Sequence, residues 1–421
     1  MKQTLHLGVF SAINIAIALL TQWYIFFELG AGIETDSMLA GMTLPQFVLG
    51  IFSTSLLQVL VPMMAGEKEN CIFHDAWQIL YFIVGLFGFL SYIFYVTASF
   101  WVPVIFAGFS ESAINLTIEL TRIHLIGMIF TAINSVQLAT YYAREKFLWA
   151  EFSPIIASVS SLALLVWFLP HYGVVAAAWI SVIRILLIGL MLAPGIGRPI
   201  SIDIRSAVFA LIWHRIKHLL FGVSYSNLDL LIDRLLLSFA NVGSLSLFFL
   251  SQQIYSSITQ VINKSIVVPM VPHMSKFYKA SDISGMSLFY KKKILVVTVI
   301  SLSVLVLLAL IRYNIAEFLF FRNYINVDNF EMLSWFMLWL SGSFIAGSVG
   351  LVSSTSIYAS GDTKTLTRFG VYTQSVYIPI KLILFYMYGI KGLALSISMF
   401  IFINLIVQNW LIKTKYLNSM N

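Results

Sequence analysis

Two runs of polar residues, each spaced for one face of a helix, carry the clearest chemistry in this sequence. Gly222, Ser226, Asp229 and Asp233 follow one another at intervals of four, three and four, and so do Gln253, Ser257, Gln260 and Lys264. Residues three and four apart meet on a helix surface. The first run offers two carboxylates that could share a proton or hold a sodium ion. The second sets amides beside an amine, donors and acceptors suited to sugar hydroxyls and to a phosphate charge. Facing each other, the runs would line a wet cavity and allow an Asp233–Lys264 or Asp229–Lys264 pair. They could equally satisfy one another between helices. Arg234 directly follows Asp233 and points elsewhere on a helix.

Both runs sit in stretches long and apolar enough to cross a bilayer, and such stretches fill most of the 421 residues. The chain is 59% hydrophobic and 10% charged, with a mean hydropathy of +0.90. A soluble domain could not hide that much apolar surface. About 20 apolar residues span the hydrocarbon core as a helix, and evenly apolar runs do not suit barrel strands, whose lumen side alternates polar. The pattern predicts an all-α polytopic membrane protein with twelve spans: 8–28, 38–64, 77–105, 121–143, 150–169, 173–193, 219–239, 245–272, 294–312, 332–359, 366–388 and 392–412. The first is read as a retained helix, not a cleaved signal peptide, because eleven spans follow it.

Placing the N-terminus in the cytoplasm puts 17 of the 25 Lys and Arg residues on that side and three on the other. That asymmetry predicts both termini inside and an even number of spans. The net charge of +7 is then loop charge facing anionic lipid headgroups, not a sign of nucleic-acid binding. Cys71 is the single cysteine, so no disulfide framework or metal-ligand spacing is expected. The motifs GxxxxGK[ST], HExxH and GxSxG are absent, which argues against nucleotide hydrolysis and enzyme chemistry and for transport.

The charged connection near 195–218 divides the chain into lobes, 1–200 and 201–421, of six spans each. The halves echo one another. Tyr142-Ala143 ends the fourth span and Tyr358-Ala359 the tenth; Tyr172-Gly173 opens the sixth and Tyr388-Gly389 the twelfth, both pairs 216 residues apart. Val61-Pro62-Met63 and Val268-Pro269-Met270 mark the second and eighth spans. Parallel repeats of this kind point to transporters that hold substrate between lobes and alternate access.

Intramembrane charge costs at least about 2.5–3.5 kcal/mol near a helix centre, so each instance is a site candidate. Arg184 in the sixth span and Lys381 in the eleventh lie deep enough to qualify. Lys381 is expected to snorkel outward along its stem, with neutralisation of a ligand phosphate as the other reading. His124 is expected near the membrane interface, and Asn134, Gln137 and Tyr141 as contacts between helices.

The string Glu28-Leu29-Gly30-Ala31-Gly32-Ile33-Glu34-Thr35-Asp36, followed by Leu44-Pro45 and Val61-Pro62, resembles the N-terminal signature of the MviN/MurJ lipid II flippases, members of the MOP exporter superfamily. The stretch Ser224 to Leu245, then Ser251-Gln252-Gln253-Ile254 and Ile266 to Lys276, is similar to the layout of that family's seventh and eighth helices. The resemblance implies a MOP/MATE-like fold of two six-helix lobes and a flippase that moves an undecaprenyl-pyrophosphate-linked saccharide to the outer leaflet of the inner membrane. The cargo would be an O-antigen, capsule, exopolysaccharide or peptidoglycan precursor. Where the family carries arginines thought to engage the pyrophosphate, this chain has Thr21 and Phe27, Leu49 and Gly50, and Gln253. Asp36 is kept. Positive charge would then have to come from Arg234, Lys264 or Lys381. Lys264 is the first choice, because its face also carries Gln253 and Gln260.

The substrate-binding set is thus Lys264, Gln253, Gln260, Arg234, Asp36 and Lys381, and the ion-coupling set Asp229 and Asp233. No cofactor is expected beyond coupling to a proton or sodium gradient. Partners would be the lipid-linked glycan, membrane lipids and glycan polymerases or glycosyltransferases, with a monomer as the default. The rival readings are an ion-coupled MATE-like exporter of small amphiphiles and a non-transporting scaffold of a glycan-assembly complex.

Overall fold

A computed structural model describes residues 2–64, 67–203, 224–225, 227–280, 282–320, 327–359 and 363–417. Gly222 and Ser226 of the first polar run lie outside the described residues. Among those described, the chain is built from helices, and seven of these are long and apolar enough to cross a membrane. The order is α1 Lys2–Leu29, α2 Ile33–Gly41, α3 Thr43–Met64, α4 Glu69–Ile105, α5 Glu111–Ala143, α6 Phe147–Leu192, α7 227–238, α8 Ser244–Ile262, α9 Val268–Lys279, α10 Ile283–Phe320, α11 Val327–Ala359, α12 Thr363–Tyr388 and α13 Ile390–Leu411. A π-helical turn, Asn263–Val267, joins α8 to α9.

Packing divides the chain into two units, Met1–Ser246 and Leu247–Asn421. In the first, α5 is the central post and packs against α2, α3, α4 and α6. Its contact with α2 is close: a Cβ on Gly41 would stand 3.0 Å from the Thr121 backbone nitrogen. Side-chain amides bind it to the second arm of α6, where Asn134 donates to the Ile185 carbonyl (2.9 Å) and Gln137 to that of Gly189 (3.1 Å). These are the contacts between helices expected of Asn134 and Gln137. His124 is buried between helices, with Nδ1 3.5 Å from the Ser181 hydroxyl. In the second unit, α11 has the corresponding central position, against α9, α10, α12 and α13.

The repeat read from the sequence has a backbone counterpart. Helix α6 contains a reversal at Gly173 (φ 60°, ψ −153°), and α12 turns into α13 at Gly389 (φ 58°, ψ −138°). Such dihedrals belong almost wholly to glycine, because a Cβ there meets the backbone. Each reversal makes an antiparallel hairpin. Trp149 Nε1 donates to the Met191 carbonyl across the first (2.9 Å), and the Thr373 hydroxyl to Asn404 Oδ1 across the second (3.1 Å). The two echoes at one sequence offset are therefore the same tight turn made twice, each fusing two spans into one hairpin.

Candidate substrate site

Helix α8 has one packed face and one polar face. Leu247, Phe248, Ser251, Tyr255 and Ile262 are buried, at the i, i+4 and i+7 steps that keep one side of a helix against its neighbours. Gln252, Gln253, Ser256, Thr259 and Gln260 lie on the other side and, with Asn263 at the start of the π-helical turn, form one wall of a cavity of about 570 Å³ within the second unit. The facing wall comes from Leu340, Ser343, Phe344, Gly347 and Leu351 of α11, with Ile397 and Ile401 of α13. Four amides and two hydroxyls thus face a largely apolar surface with an aromatic ring. That combination suits a saccharide, whose hydroxyls need donors and acceptors while its C–H faces pack on apolar groups.

The wall is braced. The Tyr255 hydroxyl donates to the Met337 carbonyl at 2.7 Å, and its ring stacks on Phe344 with centroids 4.9 Å apart. The Thr259 and Ser348 hydroxyls lie 3.3 Å apart between α8 and α11. Further along the unit, the Tyr290 hydroxyl sits between Ser353, at 2.8 Å, and Asn409, tying α10, α11 and α13 together.

The structure does not gather all the residues that spacing singled out. Gln253 and Gln260 line the cavity, but Ser257 is buried away from it and Lys264 is exposed and absent from its lining. The cavity face is centred on Gln252, Ser256, Thr259 and Asn263, rotated from the four residues that spacing had grouped. Lys264 falls in the π-helical turn, where hydrogen bonds reach one residue further than in an α-helix and the regular stripe ends. Periodicity alone gave no signal for that turn.

Lys381 is a correction. It does not snorkel outward: its side chain is 0% exposed, with Nζ 4.5 Å from the centre of the Tyr377 ring. The Tyr377 ring in turn stacks on Phe400 of α13, centroids 4.0 Å apart. An inward-facing α12 position and an aromatic face to sit on keep the amine inside.

Asp36 and Arg234 belong to a different cluster, in the first unit. Asp36 is 4% exposed, and both its oxygens are engaged: the Gly243 amide donates to Oδ2 (2.6 Å) and the Ser246 amide to Oδ1 (2.8 Å). The loop between α7 and α8 is thereby tied to α2. It packs tightly there, since a Cβ on Gly243 would stand 2.8 Å from the Ala31 carbonyl oxygen. Thr35 organises the other side of the same turn, its hydroxyl accepting from the Gly32 amide at 3.0 Å. The Gly-Ala-Gly…Thr-Asp string is therefore a joint between α1, α2 and the α7–α8 loop. Arg234, 3% exposed, lies within electrostatic reach of Asp36 and Asp233. Asp229 and Asp233 are half-buried on α7.

Among the described residues, two units of helices with paired Gly-hinged hairpins, seven helices being long and apolar enough to cross a membrane, define a polytopic membrane protein. The sequence profile described as "Lipid II flippase MurJ" matches residues 27–418, and this chain belongs to that family. It is 24% identical over 307 residues to the "Probable lipid II flippase MurJ" of Vibrio cholerae serotype O1, covering 69% of this chain and 56% of that protein. It is 23% identical over 300 residues to the protein of the same description in Rickettsia prowazekii, covering 68% and 57%. The chain thus spans little more than half the length of these curated relatives. Its fold is similar to that of "Lipid II flippase MurJ, inward closed conformation", with a TM-score of 0.84 at 16% identity over 97% of this chain and 87% of that one. It is also similar to an inward-facing multidrug resistance MATE family transporter of the MOP superfamily, with a TM-score of 0.68 at 15% identity over 98% and 96%. The chain is accordingly a multi-pass inner-membrane protein of a flippase family.

Proposed function

We propose that this chain moves a polyprenyl-pyrophosphate-linked saccharide from the inner to the outer leaflet by alternating access, with both termini in the cytoplasm. The observation that carries the reading is the amide and hydroxyl wall of α8 in a chain of the flippase family. Gln253, Gln260 and their neighbours Gln252, Ser256 and Asn263 hold the saccharide. The polyprenyl tail stays in lipid. Asp229 and Asp233 couple the cycle to a proton or sodium gradient, since neighbouring carboxylates can hold one cation between them. Lys264, exposed just beyond the wall, and Lys381, buried in α12, are the second unit's candidates for meeting phosphate charge. Arg234 and Asp36 act indirectly, by fixing the α7–α8 loop from which the amide wall starts. Glycan polymerases or glycosyltransferases are the expected working partners, and peptidoglycan precursor is one cargo among several that this chemistry fits.

The test is the leaflet distribution of lipid-linked glycan in cells with and without the chain, and with Gln253→Leu/Gln260→Leu. Accumulation on the cytoplasmic face in both deficient cases is the expected result. An unchanged distribution together with raised sensitivity to small cationic compounds would refute the flippase reading and favour small-molecule export.

A further inference from the structure

Arg184 stands near the middle of the second arm of α6. At 1.5 Å per residue it lies roughly 16 Å along the axis from the Gly173 turn and roughly 10 Å from Met191, whose carbonyl meets Trp149 at the other end of the hairpin. Its direction is set by its neighbours. Trp179, Ile183 and Leu190 are 44%, 39% and 62% exposed and mark the side of the arm that faces lipid. Arg184 lies well around the helix from them. On its own side, Ala177, Ile180 and Ile188, seven and four residues before it and four after, are all buried. Arg184 alone of this row is half-exposed.

No hydrogen bond or ion pair reaches its guanidinium among the described residues, and no opposite charge there acts on it. Arg144 is the contrast: a similar side chain in the same unit, bound to the Thr140 and Gly195 carbonyls and paired with Glu69. A guanidinium at mid-membrane depth without a protein partner is costly, and such groups mark substrate paths. The hairpin register puts Arg184 level with Ile156. Two residues further along, the Ser158 hydroxyl donates to Asn14 at 3.2 Å, so this depth also carries an uncharged polar pair.

We propose that Arg184 is the residue of the first unit that binds the phosphate portion of the lipid-linked cargo. The proposal rests on the flippase reading above and supplies the cation that Thr21, Phe27, Leu49 and Gly50 do not. A guanidinium suits the task because its planar fork bonds two phosphate oxygens at once and stays charged when dehydrated.

The experiment measures binding of polyprenyl diphosphate and of the uncharged polyprenol to the purified full chain in nanodiscs, for wild type, Arg184→Gln and Arg184→Lys. Wild type is expected to prefer the diphosphate at least tenfold. Arg184→Gln should lose that preference while binding polyprenol as before, and Arg184→Lys should keep part of it. A wild type without preference overturns the flippase reading and this inference together. A preference that survives within twofold in Arg184→Gln overturns only the inference. Should Arg184→Gln not fold, dicarbonyl labelling of Arg184 in the wild-type chain decides. Protection by polyprenyl diphosphate and not by polyprenol supports the assignment, and equal labelling overturns it.

Discussion

Replacing Asp36 by alanine tests whether the family's N-terminal signature is a joint. The carboxylate receives two amides, from Gly243 at 2.6 Å and Ser246 at 2.8 Å, and is nearly inaccessible to solvent. Truncation orphans both N–H groups. Each buried unsatisfied group costs about 1–3 kcal/mol, so the change should remove about 2–6 kcal/mol from the first unit. At about 2–4 °C per kcal/mol for 150–250 residues, the melting temperature in detergent should fall by about 4–24 °C. Asparagine should cost less, because its carbonyl still accepts one amide while its NH2 group faces the other. Glu34→Ala, at an exposed position two residues earlier, serves as the control and should not shift the melt. Hydrogen exchange over 243–246 should quicken in Asp36→Ala and stay slow in the control. If Asp36→Ala melts within a degree of wild type with unchanged exchange, the joint is not structural and the carboxylate is free to serve another role.

Three further outcomes follow from the same contacts. Gln253→Leu and Gln260→Leu should each slow glycan translocation about two- to twelvefold, the worth of a neutral hydrogen bond of about 0.5–1.5 kcal/mol. Melting temperature should hold, since both side chains line open space; the assay is translocation in proteoliposomes beside a thermal melt. Tyr290→Phe removes the hydroxyl set between Ser353 and Asn409 and should destabilise the second unit by about 1–3 kcal/mol, read as a lower melting temperature. Gly389→Ala should cost about 1–3 kcal/mol from backbone strain alone, because nothing stands within 4 Å of the added Cβ; an unchanged melt would contradict the positive φ there.

The seven helices that are long and apolar enough to cross a membrane among the described residues were legible because crossing a bilayer demands long apolar runs, a constraint written in composition alone. Tyr172-Gly173 and Tyr388-Gly389 were legible as echoes, though that each is a hairpin reversal became visible only in the dihedrals. The site was read less completely. Spacing found the polar side of α8 through Gln253 and Gln260 but set its centre toward Ser257 and Lys264, because a helix wheel gives relative angles and not the direction of the neighbouring helix. The π-helical turn at Asn263–Val267 lies beyond any α-periodic reading. Lys381 failed for a related reason. Its stem is long enough to snorkel, and only the packing of α12 on α13, with Tyr377 stacked on Phe400, shows that the amine is held inside.

The kept and the missing parts of the family signature separate along a physical line. Gly30, Thr35, Asp36 and Gly243 act on backbone: two take positive φ, one caps a turn, and one receives two amides. Their partners are main-chain groups present whatever the cargo, so losing any of them would disturb the frame itself. The arginine positions, here Thr21, Phe27, Leu49 and Gly50, have no such obligation. Gly50 even lets a neighbour in, since a Cβ there would stand 3.0 Å from the Asn227 side-chain oxygen, space an arginine stem would need. A cation could not be restored at that position without displacing Asn227 on α7. On the reading proposed above, charge for a phosphate enters from another helix, and Arg184 on α6, Lys381 on α12 and Lys264 after α8 are the candidates for it among the described residues.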